Sequence, residues 1–526
     1  MSPFLPYLSD VPRLHRPLTM LLLLTFALLS ACASTSASRT PEALLASVNA
    51  DGEYKEASYW QPAAVRAQAA RDASLSLSAQ VPSPSFSSAD AAYFSNPAVA
   101  VLPEKVPDDW WRLFKDPVLD ELETRLVVGN ENLKSLLAQV TIARAALEAS
   151  QSALFPTLST SLNRTRSGGS PSSTALSSNK SETSSLAFSA NASWEVDLWG
   201  RLAQASQVAD AKWQASADDL SAARLSAQAT LAQTYFSLRT ADAQQSLLAR
   251  SIAAYQRGLD LTRARYDGGV VGRSDVLQAQ SQLNLAQAER SGLLAQRAQL
   301  EHALAVLLGL APSAFSLAVH AELPDSLVVP QVPHTLPATL LQRRPDIAAA
   351  QRRVVAAYAQ IGVSDAAFFP ALTLSASTVD TQNSLAQLIR APQHLWSLGA
   401  ALTQVIFDGG ARRFASVQAQ AQAEQASSAY RQTVLSALQE VEDNLVLAEQ
   451  LQAERRFQQA AWQAAEDNLA ITLNQYRAGS VAYLNVVLAQ TAALSSERQL
   501  LDVRNRQLAA INLLLKNIAG RWSQAE

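Results

Sequence analysis

The chain carries one unit twice. The segment from Asn132-Leu133-Lys134 to Leu154-Phe155-Pro156-Thr157-Leu158 is echoed, at an offset of 214, from Asp346-Ile347-Ala348 to Phe368-Phe369-Pro370-Ala371-Leu372. At an offset of 210, Tyr266-Asp267-Gly268-Gly269-Val270-Val271 and the following Asp275-Val276-Leu277-Gln278-Ala279-Gln280 are echoed by Tyr476-Arg477-Ala478-Gly479-Ser480-Val481 and Asn485-Val486-Val487-Leu488-Ala489-Gln490. A duplication on this scale constrains architecture before any single motif does. It divides the chain into a first unit at 108–322, a linker at 323–337, a second unit at 338–522 and a short tail at 523–526. Each unit reads as helix, strand, polar loop, strand, long helix, glycine-containing turn, long helix. Pro156 and Pro370 close the first helix of each copy and open a strand.

The strands are marked by alternation. Over 186–198 the apolar residues Leu186, Phe188, Ala190, Ala192, Trp194, Val196 and Leu198 alternate with Ala187, Ser189, Asn191, Ser193, Glu195 and Asp197. In the second copy Trp396, Leu398, Ala400, Leu402 and Ile406 play the same part. Their partners are shorter runs at 158–162 and 372–376, joined through Ser- and Asn-rich loops at 167–184 and 380–394. One apolar face and one small polar face suit a membrane barrel with a wet interior. A soluble sheet with one solvated face would alternate in the same way. The helical segments are long: 201–266 contains no Pro and only Gly258. Apolar positions recur at three- and four-residue steps, as in Val434, Leu438, Val441, Leu445 and Ala448, or Leu293, Leu300, Leu304 and Leu307, which is coiled-coil-like spacing.

The N-terminus supplies the compartment. Arg13, His15 and Arg16 precede the apolar run 18–29, and Leu29-Ser30-Ala31-Cys32 follows. This pattern is an export signal, 1–31, too short for a membrane span. Leu-Ser-Ala-Cys resembles the bacterial lipoprotein box, so Cys32, the one cysteine of the 526 residues, is expected to carry diacylglycerol and an acyl chain. Residues 32–107, rich in Ala, Ser and Pro, read as a weakly ordered extension from that anchor. No later stretch reaches ~18 uninterrupted apolar residues, so a membrane-crossing mature chain must cross as β-structure.

Four strands cannot close a barrel, and an open edge in lipid strands backbone groups at several kcal/mol each. The sheet therefore calls for copies of itself. Two would give eight strands and a filled interior; three would give twelve and a lumen, which the small inward residues favour. Net charge is −3, which gives no basis for nucleic-acid binding. With five scattered histidines and the single Cys, a metal cluster is hard to build, and no phosphate loop or nucleophile motif points to an enzyme. The carboxylate pairs Asp218-Asp219 and Glu442-Asp443 fall in long helices, where solvation or ion pairing accounts for them.

The stretch Trp110-Trp111-Arg112-Leu113-Phe114-Lys115-Asp116-Pro117-Val118-Leu119, with Asn130-Glu131-Asn132-Leu133, Arg343-Arg344-Pro345-Asp346-Ile347, Phe369-Pro370-Ala371-Leu372, Phe407-Asp408-Gly409-Gly410 and the paired segments at Tyr266 and Tyr476, resembles the TolC-like outer-membrane efflux proteins, specifically their NodT-type lipoprotein branch. The resemblance spans 108–522. It implies a mainly α fold with membrane β: a homotrimer whose twelve-stranded β-barrel in the outer membrane continues into a twelve-helix periplasmic α-barrel. It also implies a periplasmic adaptor (membrane fusion) protein and an inner-membrane resistance–nodulation–division transporter as partners, with small toxic compounds or drugs as cargo. A one-step protein-export duct and a poreless structural lipoprotein are the alternatives. By the same resemblance, the two helix–turn–helix tips dock the adaptor and close the resting channel; the matching residues are Arg265, Tyr266, Gly269, Val271, Ser274 and Asp275, and Tyr476, Gly479, Val481, Tyr483 and Leu484. Some relatives place an acidic residue where Val481 stands, so closure here is expected to use Val481, Tyr483 or Leu484 as an apolar constriction.

Overall fold

A computed structural model describes residues 109–168, 182–320, 344–383 and 394–518. The signal segment, Cys32, the 32–107 extension and the 323–337 linker lie outside the described residues.

The order helix, strand, strand, long helix, shorter helix occurs twice. After a 3-10 turn at Trp110–Phe114 come α1 (Pro117–Gly129), α2 (Glu131–Ser152), β1 (Thr157–Gly168), β2 (Glu182–Val196), α3 (Arg201–Asp267) and α4 (Arg273–Leu307). Then follow α5 (Pro345–Ala366), β3 (Ala371–Gln382), β4 (His394–Thr403), α6 (Ala411–Arg477) and α7 (Tyr483–Ile518). Helix α1 starts where Asp116 accepts hydrogen bonds from the Val118 and Leu119 amides at 2.9 and 3.2 Å, with Pro117 in its first turn. Asn130 caps α2 in the same way. Helices α3 and α6 have 67 residues each, so each extends roughly 100 Å. Along α6 the buried seam is Val434, Ala437, Val441, Leu445, Ala448 and Leu451, and the expected Leu438 is half-buried at its side.

The four strands form one antiparallel sheet in the order β1-β2-β3-β4. The register keeps the two faces chemically separate. Leu158 lies opposite Ala192, Leu162 opposite Phe188, Trp194 opposite Leu374, and Leu372 opposite Leu402. On the other face Ser161 meets Ser189 and Ser377 meets Ser397, each pair sharing a 2.8 Å hydroxyl contact. Opposed residues of an antiparallel pair point the same way, so one face is apolar at the strand ends nearest the helices and carries Arg164, Asp380 and Gln382 toward the hairpin loops, while the other is Ser/Thr-rich. On the apolar face Leu158, Trp396 and Leu398 are about three-quarters exposed.

The strand ends correct the sequence reading. β1 and β3 are twelve residues long, because backbone pairing continues past 163, where Asn163, Arg164 and Thr165 no longer alternate. Conversely Leu198 and Ile406 lie beyond their strands. Asp197 leaves the ladder to accept hydrogen bonds from the Leu202 and Ala203 amides and start α3, and Asp408 does the same for α6 through the Gly410 and Arg412 amides. Gly200 and Gly410, at φ 76° and 94°, make the left-handed step into each long helix.

A buried ionic cluster ties the chain after α4 onto α3. Asp242 pairs with Arg297 at 2.7 Å and Arg239 at 3.5 Å and accepts the His320 amide. The two guanidinium groups donate onward to the Leu317 and Ala318 carbonyls. Arg239 also donates to the Tyr235 hydroxyl, which donates to Asp116 at 2.6 Å. Every charged partner in this cluster is matched.

Glu123 on α1 is the exception. It is fully buried, and neither carboxyl oxygen has a hydrogen-bond partner among the described residues. Burial, with the nearby Asp120 charge, pushes its carboxyl up to about 9 from 4.5. The folded state therefore holds this proton while the unfolded chain releases it near 4.5. Its contribution to stability is full below pH 4.5 and is lost as pH rises to about 9, by up to about 1.4 kcal/mol per pH unit. Glu123→Gln is expected to flatten that slope and raise the melting temperature at pH 8, while changing little at pH 4.5. Thermal melts of both proteins across that range check it.

Candidate functional site

The two tight turns end the long helices in the same way. In the first, the Val270 amide donates to the Arg265 carbonyl at 2.8 Å and the Gly269 amide to the Tyr266 carbonyl at 2.9 Å. In the second, Ser480 donates to Gln475 and Gly479 to Tyr476, each at 3.0 Å. Both are Schellman closures, and the residue they place in the left-handed region is Gly269 (φ 75°) or Gly479 (φ 78°). The sequence therefore turns each hairpin by one glycine; Gly268 has an ordinary φ and is not the residue that needs the freedom.

The tips are joined side by side. Arg265 donates to the carbonyls of Tyr476 and Arg477 at 2.9 and 2.8 Å, and its guanidinium lies 4.6 Å over the Tyr476 ring. It thereby satisfies carbonyls at the C-terminal end of α6, where a cation is favoured. Behind it, Tyr476 and Tyr483 meet edge-on at 5.3 Å within a cluster of Tyr255, Leu259, Ala279, Leu283, Ala286 and Val486. The cluster draws on α3, α4, α6 and α7, so all four helices are held at this end by one apolar contact. Burial and the neighbouring Tyr476 push the Tyr483 hydroxyl up to about 12, so it stays protonated at physiological pH.

The residues anticipated from sequence divide by environment. Tyr476 and Tyr483 are buried at 3% and 2% exposure, so Tyr483 packs its own hairpins. Val481 and Val271 are half-buried, Val481 resting against the cluster. Tyr266 and Leu484 remain largely exposed, as does Ser274, while Asp275 is half-buried in the first turn of α4. Sequence reasoning missed the reason for Gly258. A Cβ there would lie 3.3 Å from the Tyr483 hydroxyl, so the glycine admits that ring against α3. A lone glycine inside a 67-residue helix was the available signal. Away from the tips, Asp219 pairs with Arg353 of α5, in keeping with an ordinary role for that acidic pair.

Nothing in this geometry assembles a nucleophile, a general base and an electrophile. It is a mechanical joint: four helix ends, exposed apolar side chains at Tyr266, Val270 and Leu484, and one arginine bridging two hairpins. No described helix is long and apolar enough to cross a membrane.

Comparison with known proteins gives one consistent picture. A family model described as outer membrane efflux protein matches residues 124–310 and 336–520. The chain is 30% identical over 419 residues to the pyoverdine export outer membrane protein OpmQ of Pseudomonas aeruginosa, covering 78% of this chain and 87% of that one. It is 30% identical over 425 residues to the toluene efflux pump outer membrane protein TtgF of Pseudomonas putida, covering 79% and 85%. Among solved structures, the outer-membrane channel OprN superposes with a TM-score of 0.73 at 26% identity, over 84% of this chain and 99% of that one. The open-state MtrE channel of Neisseria gonorrhoeae gives 0.72 at 27% identity, over 84% and 98%.

Proposed function

This chain belongs to the outer membrane efflux protein family, and we propose that three copies of it form the outer-membrane duct of a tripartite pump that passes small toxic organic compounds to the exterior. The observation that carries the reading is the sheet. Its strands run up, down, up and down, so β4 of one copy and β1 of the next meet antiparallel, and three copies close at twelve strands with no edge in lipid. The apolar band of the first face then meets lipid, with Arg164, Asp380 and Gln382 at its hairpin end, and the Ser/Thr face lines the lumen. Helices α3, α4, α6 and α7 would extend the tube into the periplasm, ending at the joined tips. Those tips, with Arg265, Tyr266, Gly269, Val271, Ser274, Asp275, Tyr476, Gly479, Val481 and Leu484, are where an adaptor protein docks, with a resistance–nodulation–division transporter beneath. Leu484 and Tyr266, exposed beside the turns, are better constriction candidates than Tyr483. Lipid on Cys32 would anchor the extension to the same membrane. Pyoverdine and toluene are cargo in the names of two relatives; for this chain the cargo class is small organic molecules.

A growth assay tests the reading. A strain lacking this gene and its parallel ducts is expected to be hypersensitive to dyes, detergents and hydrophobic antibiotics, and wild-type protein to restore resistance. Unchanged growth, with protein present in the outer membrane, would remove the efflux assignment. Cys32→Ser is expected to lower the outer-membrane amount several-fold and to rescue weakly, which fractionation and immunoblotting measure. Arg265→Ala removes both bonds and the ring contact between the hairpins. It is expected to loosen the tips and sensitise cells to large antibiotics that intact outer membranes exclude, at unchanged protein level.

A further inference from the structure

The proposed trimer leaves one thing unspecified: which residue of β4 faces which residue of β1 on the neighbouring copy. The duplication supplies it. First-copy strand β1 maps onto β3 at offset 214, since Phe155-Pro156-Thr157-Leu158 matches Phe369-Pro370-Ala371-Leu372. Strand β2 maps onto β4 at offset 210, as Gly200 and Gly410, both left-handed entries to the long helices, require. The hairpins verify these offsets independently. Thr157 faces Ser193 in the first hairpin, and the same shifts carry that pair onto Ala371 and Thr403, which face each other in the second.

The one junction between copies of the unit inside the chain is β2 against β3, where Val196 faces Leu372 and Ala192 faces Ala376. Carrying that junction by the same two offsets gives the junction between chains. We infer that β4 pairs with β1 of a second copy of this chain in the register that sets Leu402 opposite Leu162 and Thr403 opposite Ser161.

Two observations outside the mapping favour this register. It joins apolar face to apolar face: a one-residue slip would set Leu402 against Ser161 or Asn163 and break the lipid-facing band. It also continues beyond the strand ends, bringing the residues after β4 to those before β1. There the isolated chain leaves Ile406 at 95%, Phe407 at 88% and Phe155 at 68% exposure. At the equivalent place inside the chain, Trp199 stacks on Phe369 at 4.9 Å and donates to the Pro370 carbonyl at 2.8 Å. The second copy of the unit has Gly409 in place of Trp199, so Ile406 and Phe407 are the large apolar groups available to cover Phe155 of the neighbour.

The inference rests on the trimer reading, and disulfide trapping separates the two. The native chain has one cysteine, Cys32, so introduced pairs report cleanly. Ser161→Cys with Thr403→Cys, and Ser167→Cys with Ser397→Cys, match the register on the lumen face. Ser159→Cys with Thr403→Cys and Asn163→Cys with Thr403→Cys are shifted by two, which puts the pair on a diagonal of about 7–8 Å, beyond ordinary disulfide reach. Outer membranes are oxidised with copper phenanthroline and run on non-reducing gels, with trimer content scored in parallel by amine cross-linking. Expected is a strong dimer and trimer ladder for both matched pairs, at least about fivefold above the shifted pairs. A shifted pair outscoring both matched pairs, or no ladder from any pair while amine cross-linking still yields trimers, overturns the register and leaves the trimer standing. Loss of trimers from the wild-type sample as well overturns the trimer reading itself.

Discussion

Gly309→Ala is expected to lower the melting temperature of the purified protein more than any other single methyl addition among the described glycines, and to cut its outer-membrane level several-fold. Gly309 follows α4 at φ 72°, in a Schellman closure where Leu310 donates to the Ala305 carbonyl at 2.9 Å. A left-handed alanine there costs roughly 1–2 kcal/mol. The larger difficulty is contact. A Cβ on Gly309 would lie 2.1 Å from the Gly129 carbonyl oxygen, and one on Gly129 would lie 2.2 Å from the Leu308 carbonyl oxygen. Two backbones cross here with no room for a side chain, and the crossing is tied by the Asn130 side-chain Nδ2 donating to the Leu307 carbonyl at 2.8 Å. Because both colliding atoms belong to backbone, no rotamer change relieves the overlap, and the total penalty is expected to be roughly 3 kcal/mol or more. Gly292 is the internal control. It sits exposed within α4 with no atom within 4 Å of where an alanine methyl would lie, so Gly292→Ala is expected to stabilise by about 0.5–1 kcal/mol. Opposite signs from two glycines of one helical hairpin would confirm that approach, rather than residue type, decides the outcome.

Asp242→Ala is the second large effect. Asp242 has no exposed side-chain surface and is the shared acceptor for Arg239, Arg297 and the His320 amide. Removing it leaves the buried Arg239 guanidinium without its carboxylate partner and Arg297 with Glu301 alone, and their onward bonds to the Leu317 and Ala318 carbonyls lose the group that orients them. A broken buried pair costs about 3–5 kcal/mol. Asp242→Ala is therefore expected to lower the melting temperature by many degrees and to make 311–320 a new site of limited proteolysis. The double variant Asp242→Ala with Arg297→Ala is expected to lose less than the sum of the singles, since one uncompensated charge disappears. Arg144→Ala, which breaks an exposed α2 pair with Glu148, is expected to cost less than about 1 kcal/mol.

Much of this architecture was readable from the chain because it depends on period and punctuation. Period-two alternation located the strands, Pro156 and Pro370 their starts, and one glycine per turn the helix tips. The strand ends were not readable, for two separate reasons. Asn163 to Ser167 carry no alternation, yet pair through their backbones with 183–187, which pattern cannot detect. Asp197 looks like one more polar-face residue, and only its hydrogen bonds to the start of α3 reveal that the ladder has ended. At the tips, Tyr483 reads the same whether it packs its own hairpin or faces a neighbouring subunit. The contact that decides it comes from Gly258, distant in sequence. The Asp242 cluster was invisible for a related reason. Its parts come from α3, α4 and 317–320, and their charges mean nothing until the fold brings them together.

The tip bridge connects the fold to the function. Arg265 joins two hairpins through carbonyl oxygens of α6 and the face of Tyr476, which packs behind it with Tyr255, Leu259 and Leu283. The most direct test of the account is therefore ion conductance through purified protein inserted in planar lipid bilayers, with wild type and Arg265→Ala compared at matched insertion. The expected result is discrete current steps from both, with larger or longer openings in Arg265→Ala. Bilayers that hold inserted protein of either kind yet stay at the lipid baseline would contradict the assignment of this chain as a channel.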